Sequence, residues 1–102
     1  MIQKKAIDDY NKAIQIDPLY TNAYIHRGTV YFNNKKFSNA INDYKRAMKT
    51  NPNDPRSYVF IAHAYYETGQ YVQAMNNLKI YEKLGLQPPA DLLKKLQNKL
   101  PQ

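Results

Sequence analysis

Apolar and small residues recur along this chain at steps of three and four, the spacing that gathers side chains on one face of an α-helix. Ala6, Tyr10 and Ala13 follow that rhythm, Ala40, Tyr44 and Ala47 repeat it, and Tyr24, Gly28 and Tyr31 set a second version. The punctuation agrees. Asp17-Pro18 and Asn51-Pro52 stop helices, because proline disfavours helical backbone in the residue before it. Asp54-Pro55 reads as an N-cap followed by proline at the first helical position. Gly69 suits the left-handed conformation that closes a helix, and Asn33-Asn34 is expected to do the same at the matching turn. The spacing predicts helices over 3–16, 21–34, 37–50, 55–68, 71–84 and 89–99. Residues 24–32 and 58–66 are rich in β-branched and aromatic side chains, a local preference for strands. The helical spacing outweighs it, and the fold class expected is all-α.

Sliding the sequence against itself by 34 residues brings like residues together. Ala6, Ala40 and Ala74 align, as do Tyr10, Tyr44 and Leu78, while Pro18 meets Pro52. Tyr24 aligns with Tyr58, Tyr31 with Tyr65, and Phe37 with Tyr71. A fixed period of this length signals stacked helical units, none of which can bury its apolar face alone. Gly28, matched by Ala62, marks where two helix backbones approach closely, with tyrosines as knobs around the contact.

These residues resemble the tetratricopeptide repeat, whose unit is two antiparallel helices closed by proline. Residues 21–54 carry Tyr24, Gly28, Tyr31, Ala40, Tyr44, Ala47 and Pro52 at the family's places, with Arg27 where leucine is usual. Residues 55–88 carry Tyr58, Ile61, Ala62, Tyr65 and Ala74, but Tyr81 and Leu86 replace the expected alanine and proline, as in a last repeat. Residues 1–20 match the second half of a unit, and 89–102 resemble the extra helix that covers such arrays. The resemblance implies one domain, an α-solenoid of antiparallel hairpins in a right-handed superhelical stack. The leucine stripe of that last helix, Leu92, Leu93, Leu96 and Leu100, also admits a membrane-surface helix as the sharper alternative. A half unit at the start leaves apolar area on the face of Ile2, Ile7 and Ile14. Either the chain is a piece of a longer array, the leading expectation, or it self-associates through its N-terminal helix face.

Composition narrows the chemistry. The apolar content leans on ten Tyr and three Phe with no Trp, which suits thin, half-exposed layers. With no cysteine, disulfides, thiolate metal sites and a cysteine nucleophile are excluded. No apolar run approaches the roughly 20 residues of a membrane span, and the start lacks a signal-peptide core. A cytoplasmic protein is the default expectation. The formal charge of +7 raises nucleic acid as a partner. The cations fall mostly on second helices, however, at Lys4, Lys5, Lys12, Lys45, Arg46, Lys49, Lys79 and Lys83, where a solvated convex face is expected. Asp8 is placed to pair with Lys12 four residues on. RNA binding on that face is a lesser alternative, since the tyrosines occupy packing positions rather than an exposed basic track.

On the family's geometry, the first helix of each unit lines a groove. The resemblance pairs Asn22 with Arg56, Ile25 with Val59, Thr29 with His63 and Phe32 with Tyr66, extended by Asn33 and Glu67, and beyond them by Leu93 and Gln97. This mixed set, aromatic and polar with little net charge, suits a peptide or helical segment of another protein. Some relatives clamp acidic chaperone tails with Lys, Asn and Arg. Here Ile25 and Thr29, or His26 and Phe60, stand at clamp positions and only Arg56 keeps the chemistry, so that ligand is not expected. His26 and His63 lie on different helix faces and make a poor metal pair. Asp8-Asp9 cannot face each other as an acid–base pair. No cofactor and no catalysis are expected. The reading is an interaction scaffold.

Overall fold

The computed structural model describes residues 4–101. Six helices follow in order: α1 (Lys4–Ile16), α2 (Thr21–Asn33), α3 (Phe37–Thr50), α4 (Pro55–Glu67), α5 (Tyr71–Lys83) and α6 (Ala90–Lys99). No strand occurs among the described residues. The β-branched stretches lie inside α2 and α4, so packing overrides their local preference. Each helix packs on the next, and α2 also meets α4, giving a slab of 46 × 30 × 17 Å. The chain is an all-α solenoid of antiparallel hairpins: a half unit, two full units and a covering helix.

The repeat is exact down to its turns. Leu19 N–H donates to Asp17 Oδ1 at 3.1 Å, and 34 residues on Asn53 N–H donates to Asn51 Oδ1 at 3.3 Å. In each turn the following tyrosine reaches back: Tyr24 Oη donates to the Pro18 carbonyl at 2.9 Å, and Tyr58 Oη to that of Pro52 at 2.8 Å. Proline ends one helix and supplies an acceptor that orients the next. At the start of α4, Asp54 Oδ1 accepts from Arg56 N–H at 3.1 Å with Pro55 beside it, the cap that the sequence predicts.

One turn corrects the sequence reading. Gly69 closes α4 at φ 76°, but its counterpart is Lys35 at φ 62°, not Asn33 or Asn34. Asn34 stays at φ −99° and its Nδ2 donates to the Val30 carbonyl at 2.8 Å, capping the helix from its side chain. Both turns then make the same long closing bond, Lys36 N–H to Tyr31 O at 2.9 Å and Gln70 N–H to Tyr65 O at 2.8 Å.

The core runs through the hairpins as Ala40, Ile41, Tyr44, Ile61, Ala62, Ala74 and Leu78, closed by Leu92 and Leu96 of α6. Leu92 and Leu96 are 3 % and 0 % exposed, so the leucine stripe is spent on covering α5 rather than facing a membrane. No described helix is long and apolar enough to cross one. At the other end, Ile14 is half-buried and packs with Tyr24, Ile25 and Ala47, and Ile7 is half-buried where its counterpart Ile41 is buried, so the face expected to be bare is partly covered; Ile2 lies outside the described residues. The exposed apolar side chains there are Ile16 and Leu19.

The eight cations assigned to second helices are all exposed. Asp8 and Lys12 form no ion pair; among the described residues the ion pairs are Arg27–Asp43 and Arg56–Asp54. Holding two long exposed side chains together costs rotamer freedom that a solvated attraction does not offset. Arg27, the departure from the family pattern, has a structural role. Its Nε and Nη2 donate to Asp43 Oδ2 and Oδ1 at 2.9 and 2.6 Å, and its Nη1 to Asn11 Oδ1 at 2.7 Å. One guanidinium thereby ties α1, α2 and α3, and the bond to Asp43 holds it charged more firmly than usual.

Candidate functional site

The α2–α4 face carries the candidate groove. At its first turns the sequence pairing holds: Arg56 Nη2 donates to Asn22 Oδ1 at 2.5 Å across the two helices. The same guanidinium donates through Nε and Nη2 to the Asp54 carboxylate at 3.1 and 2.6 Å. That contact holds the Asp54 carboxyl below its ordinary range and raises Arg56. Arg56 is therefore a fixed donor whose charge is already answered.

The next pair differs from its expected role. Ile25 and Val59, 2 % and 9 % exposed, are packed beneath the groove and do not line its hollow. They set its floor. Their place at the surface is taken by a hollow of about 180 Å³ lined by Thr29, Phe32, Tyr44, Phe60 and His63. Thr29 Oγ1 donates to the Ile25 carbonyl at 2.9 Å and stands 3.1 Å from Tyr44 Oη, which is left to donate to it. Burial pushes the Tyr44 phenol up. Burial, reinforced by Lys95 and opposed by Glu67, pushes the His63 imidazole down, so it is neutral at physiological pH.

Phe32, in the lining of the hollow, and Tyr66, one period on, are half-buried aromatics. Phe32 meets Phe37 edge-on with centroids 5.3 Å apart, and Tyr66 meets Tyr71 at 5.6 Å. Lys95 Nζ of α6 lies 5.7 Å from the Tyr66 ring centre and Lys99 Nζ lies 5.9 Å from that of Tyr71, so the covering helix closes this end with cations over rings. Asn33 and Glu67 are exposed at the rim, Gln97 is exposed, and Leu93 is half-buried against the core.

Sequence reading missed Tyr44 and Phe60 as lining residues. Tyr44 belongs to a second helix and is almost wholly buried, yet its ring edge reaches the face between α2 and α4. The period held the signal: Tyr44 and Phe60, with centroids 5.8 Å apart, repeat Tyr10 and His26, stacked at the same 5.8 Å. A second recess of about 260 Å³ opens around that earlier pair, lined by Asp9, Tyr10, Ala13, Tyr20, Asn22 and His26. No group of three or more His, Cys, Asp or Glu gathers among the described residues.

Residues 21–54 match the family described as Tetratricopeptide repeat, and residues 3–35 that described as TPR repeat. The chain belongs to the tetratricopeptide repeat family. Among solved structures, this tetratricopeptide array is similar to the TPR domain of Arabidopsis OM64, with TM-score 0.89 and 20 % identity over 95 % of this chain and 82 % of that one. It is similar to the first TPR of Spaghetti (RPAP3) bound to the HSP90 peptide SRMEEVD, with TM-score 0.82 and 23 % identity over 95 % and 79 %. MamA shares 28 % identity at TM-score 0.75, covering 76 % of this chain, which spans 46 % of the MamA chain. No curated protein matches in sequence. Tetratricopeptide domains are protein–protein interaction modules, and this array carries that fold.

Proposed function

We propose that this chain captures a peptide or helical segment of a partner protein on its α2–α4 face, seating an apolar side chain in the hollow of Thr29, Phe32, Tyr44, Phe60 and His63. The observation that carries the reading is the hollow itself, about 180 Å³ between rigid helices and walled mainly by aromatic rings. Its walls are held by the Thr29–Tyr44 hydrogen bond and the Tyr44–Phe60 contact, so little of the receptor needs ordering when a ligand arrives. The Asn22–Arg56 bridge offers hydrogen bonds to a peptide backbone a few residues away.

A fold neighbour is bound to an HSP90 peptide, SRMEEVD, but an acidic tail is not the ligand proposed here. Arg56 already answers Asp54, and Phe60, Ile25 and Thr29 supply no further cation. The function proposed is non-catalytic. The test is selection of ligands from a peptide library, followed by Phe32→Ala and Tyr66→Ala. Both variants are expected to keep the helical signal and lose the selected peptide; undiminished capture by the double variant would place the site elsewhere.

A further inference from the structure

Helices one period apart hold equivalent places, so the outward faces of α3 and α5 can be compared position by position. Lys45 and Lys49 on α3 are matched by Lys79 and Lys83 on α5, and Arg46 stands beside the first pair, all five exposed. Asn42, Lys45, Arg46 and Lys49 ring an open depression of about 390 Å³. Among the described residues none of the five cations makes an ion pair. The acids of these two helices do little to neutralise them. Asp43 is buried and already bound by Arg27, and Glu82 lies beside Lys79 in a recess against α6.

Aliphatic side chains stand in the open among these cations. Val72, Ile80 and Leu84 are 59 %, 39 % and 36 % exposed. One period earlier their places hold Ser38, Arg46 and Thr50, so stacking of the units does not require apolar residues there. The aromatic rings of the two helices are turned inward. Tyr44 is buried, Phe37 meets Phe32, Tyr71 meets Tyr66, and Tyr81 packs against the core. A nucleic-acid strand is held by cations together with exposed rings on which its bases stack. Cations interspersed with exposed aliphatic groups suit the headgroup layer of an anionic bilayer instead.

We propose that the outward face of α3 and α5 docks on an anionic lipid bilayer. Lys45, Arg46, Lys49, Lys79 and Lys83 meet the charged headgroups, while Ile80 and Leu84 enter the boundary between headgroups and acyl chains. The helices lie along the surface without crossing it. Each cation brought to such a surface raises the affinity roughly fivefold, so the attraction is spread over the face rather than held by one residue. The α2–α4 hollow belongs to the other layer of helices, so a peptide seated there stays accessible while the chain is docked. The proposal does not rest on that hollow.

The test is flotation of the whole chain with vesicles of phosphatidylcholine, alone or mixed with phosphatidylserine, at physiological salt. Binding to the mixed vesicles and not to the neutral ones is expected. Lys45→Glu with Lys49→Glu should weaken it by about 25-fold or more. Ile80→Ser with Leu84→Ser should weaken it several-fold at unchanged charge. All four side chains are exposed, so both variants should keep the helical signal by circular dichroism. Excess poly(U) RNA should leave the floated fraction unchanged. No flotation with the mixed vesicles, equal flotation with neutral ones, either variant binding like the parent, or release by poly(U) would each overturn the proposal.

Discussion

Gly28 lies so close to Tyr44 that a Cβ built on it would stand 2.9 Å from ring atom Cε1, with Asp43 Cβ at 3.1 Å. One period later the same crossing is made by Ala62 and Leu78, 0 % and 1 % exposed. Each crossing balances a small residue against a side chain of matching size, and the larger ring requires the glycine.

Gly28→Ala is therefore expected to destabilise by about 1–3 kcal/mol, overpacking outweighing the better helix propensity of alanine. The Tyr44 ring cannot swing clear because it is buried and its hydroxyl is bonded to Thr29. Adding Tyr44→Leu copies the Ala62–Leu78 crossing and should recover most of the loss. Urea unfolding of the single and double variants checks this; a Gly28→Ala protein as stable as the parent contradicts the close crossing.

Lys35 holds the left-handed position that glycine holds at Gly69. Lys35→Gly should raise stability by roughly 0.5–1 kcal/mol, because relief of the Cβ strain exceeds the extra freedom glycine gives the unfolded chain. Gly69→Ala should lower it by a similar amount, although a Cβ there would meet nothing within 4 Å. Thermal midpoints of the two variants should move in opposite directions.

The Arg27–Asp43 pair joins α2 to α3, with side chains only 20 % and 5 % exposed. Asp43→Ala leaves a partly buried guanidinium without its anion and should cost about 2–4 kcal/mol. The next unit has Ile61 and Asn77 at these places, so Arg27→Ile with Asp43→Asn should come within about 1 kcal/mol of the parent. Chemical denaturation decides between a pair that adds stability and one that only tolerates its own burial.

His63 adds a pH dependence. Burial and Lys95 hold its folded pKa below the ordinary imidazole value, so as pH falls through that value the unfolded chain takes up a proton that the folded chain refuses. Stability should fall between about pH 7 and 5 on this account, since the unperturbed value lies near 6.5. His63→Gln should flatten that limb, and an imidazole titration followed by NMR should show the depressed midpoint.

The helices, their boundaries and the period could be read from residue types alone, because spacing, caps and Asx-Pro turns are local and recur. The turn at Lys35 could not. Asparagine has the greater intrinsic tolerance for left-handed backbone, but Asn34 gains more by capping Val30, a choice made only once the helix end exists.

The sequence by itself determined that this chain forms stacked helical hairpins and that α2 and α4 share a face, since a fixed period forces like residues into like places. Only the tertiary structure decided which of those residues line the hollow. Ile25 and Val59 sink beneath the face, while Tyr44, assigned to packing, and Phe60, noted only at a clamp position, line the hollow. Helical spacing fixes the direction of a side chain to within a sector. How deep it lies depends on the neighbouring helix laid over it, and no single unit of the repeat contains that neighbour.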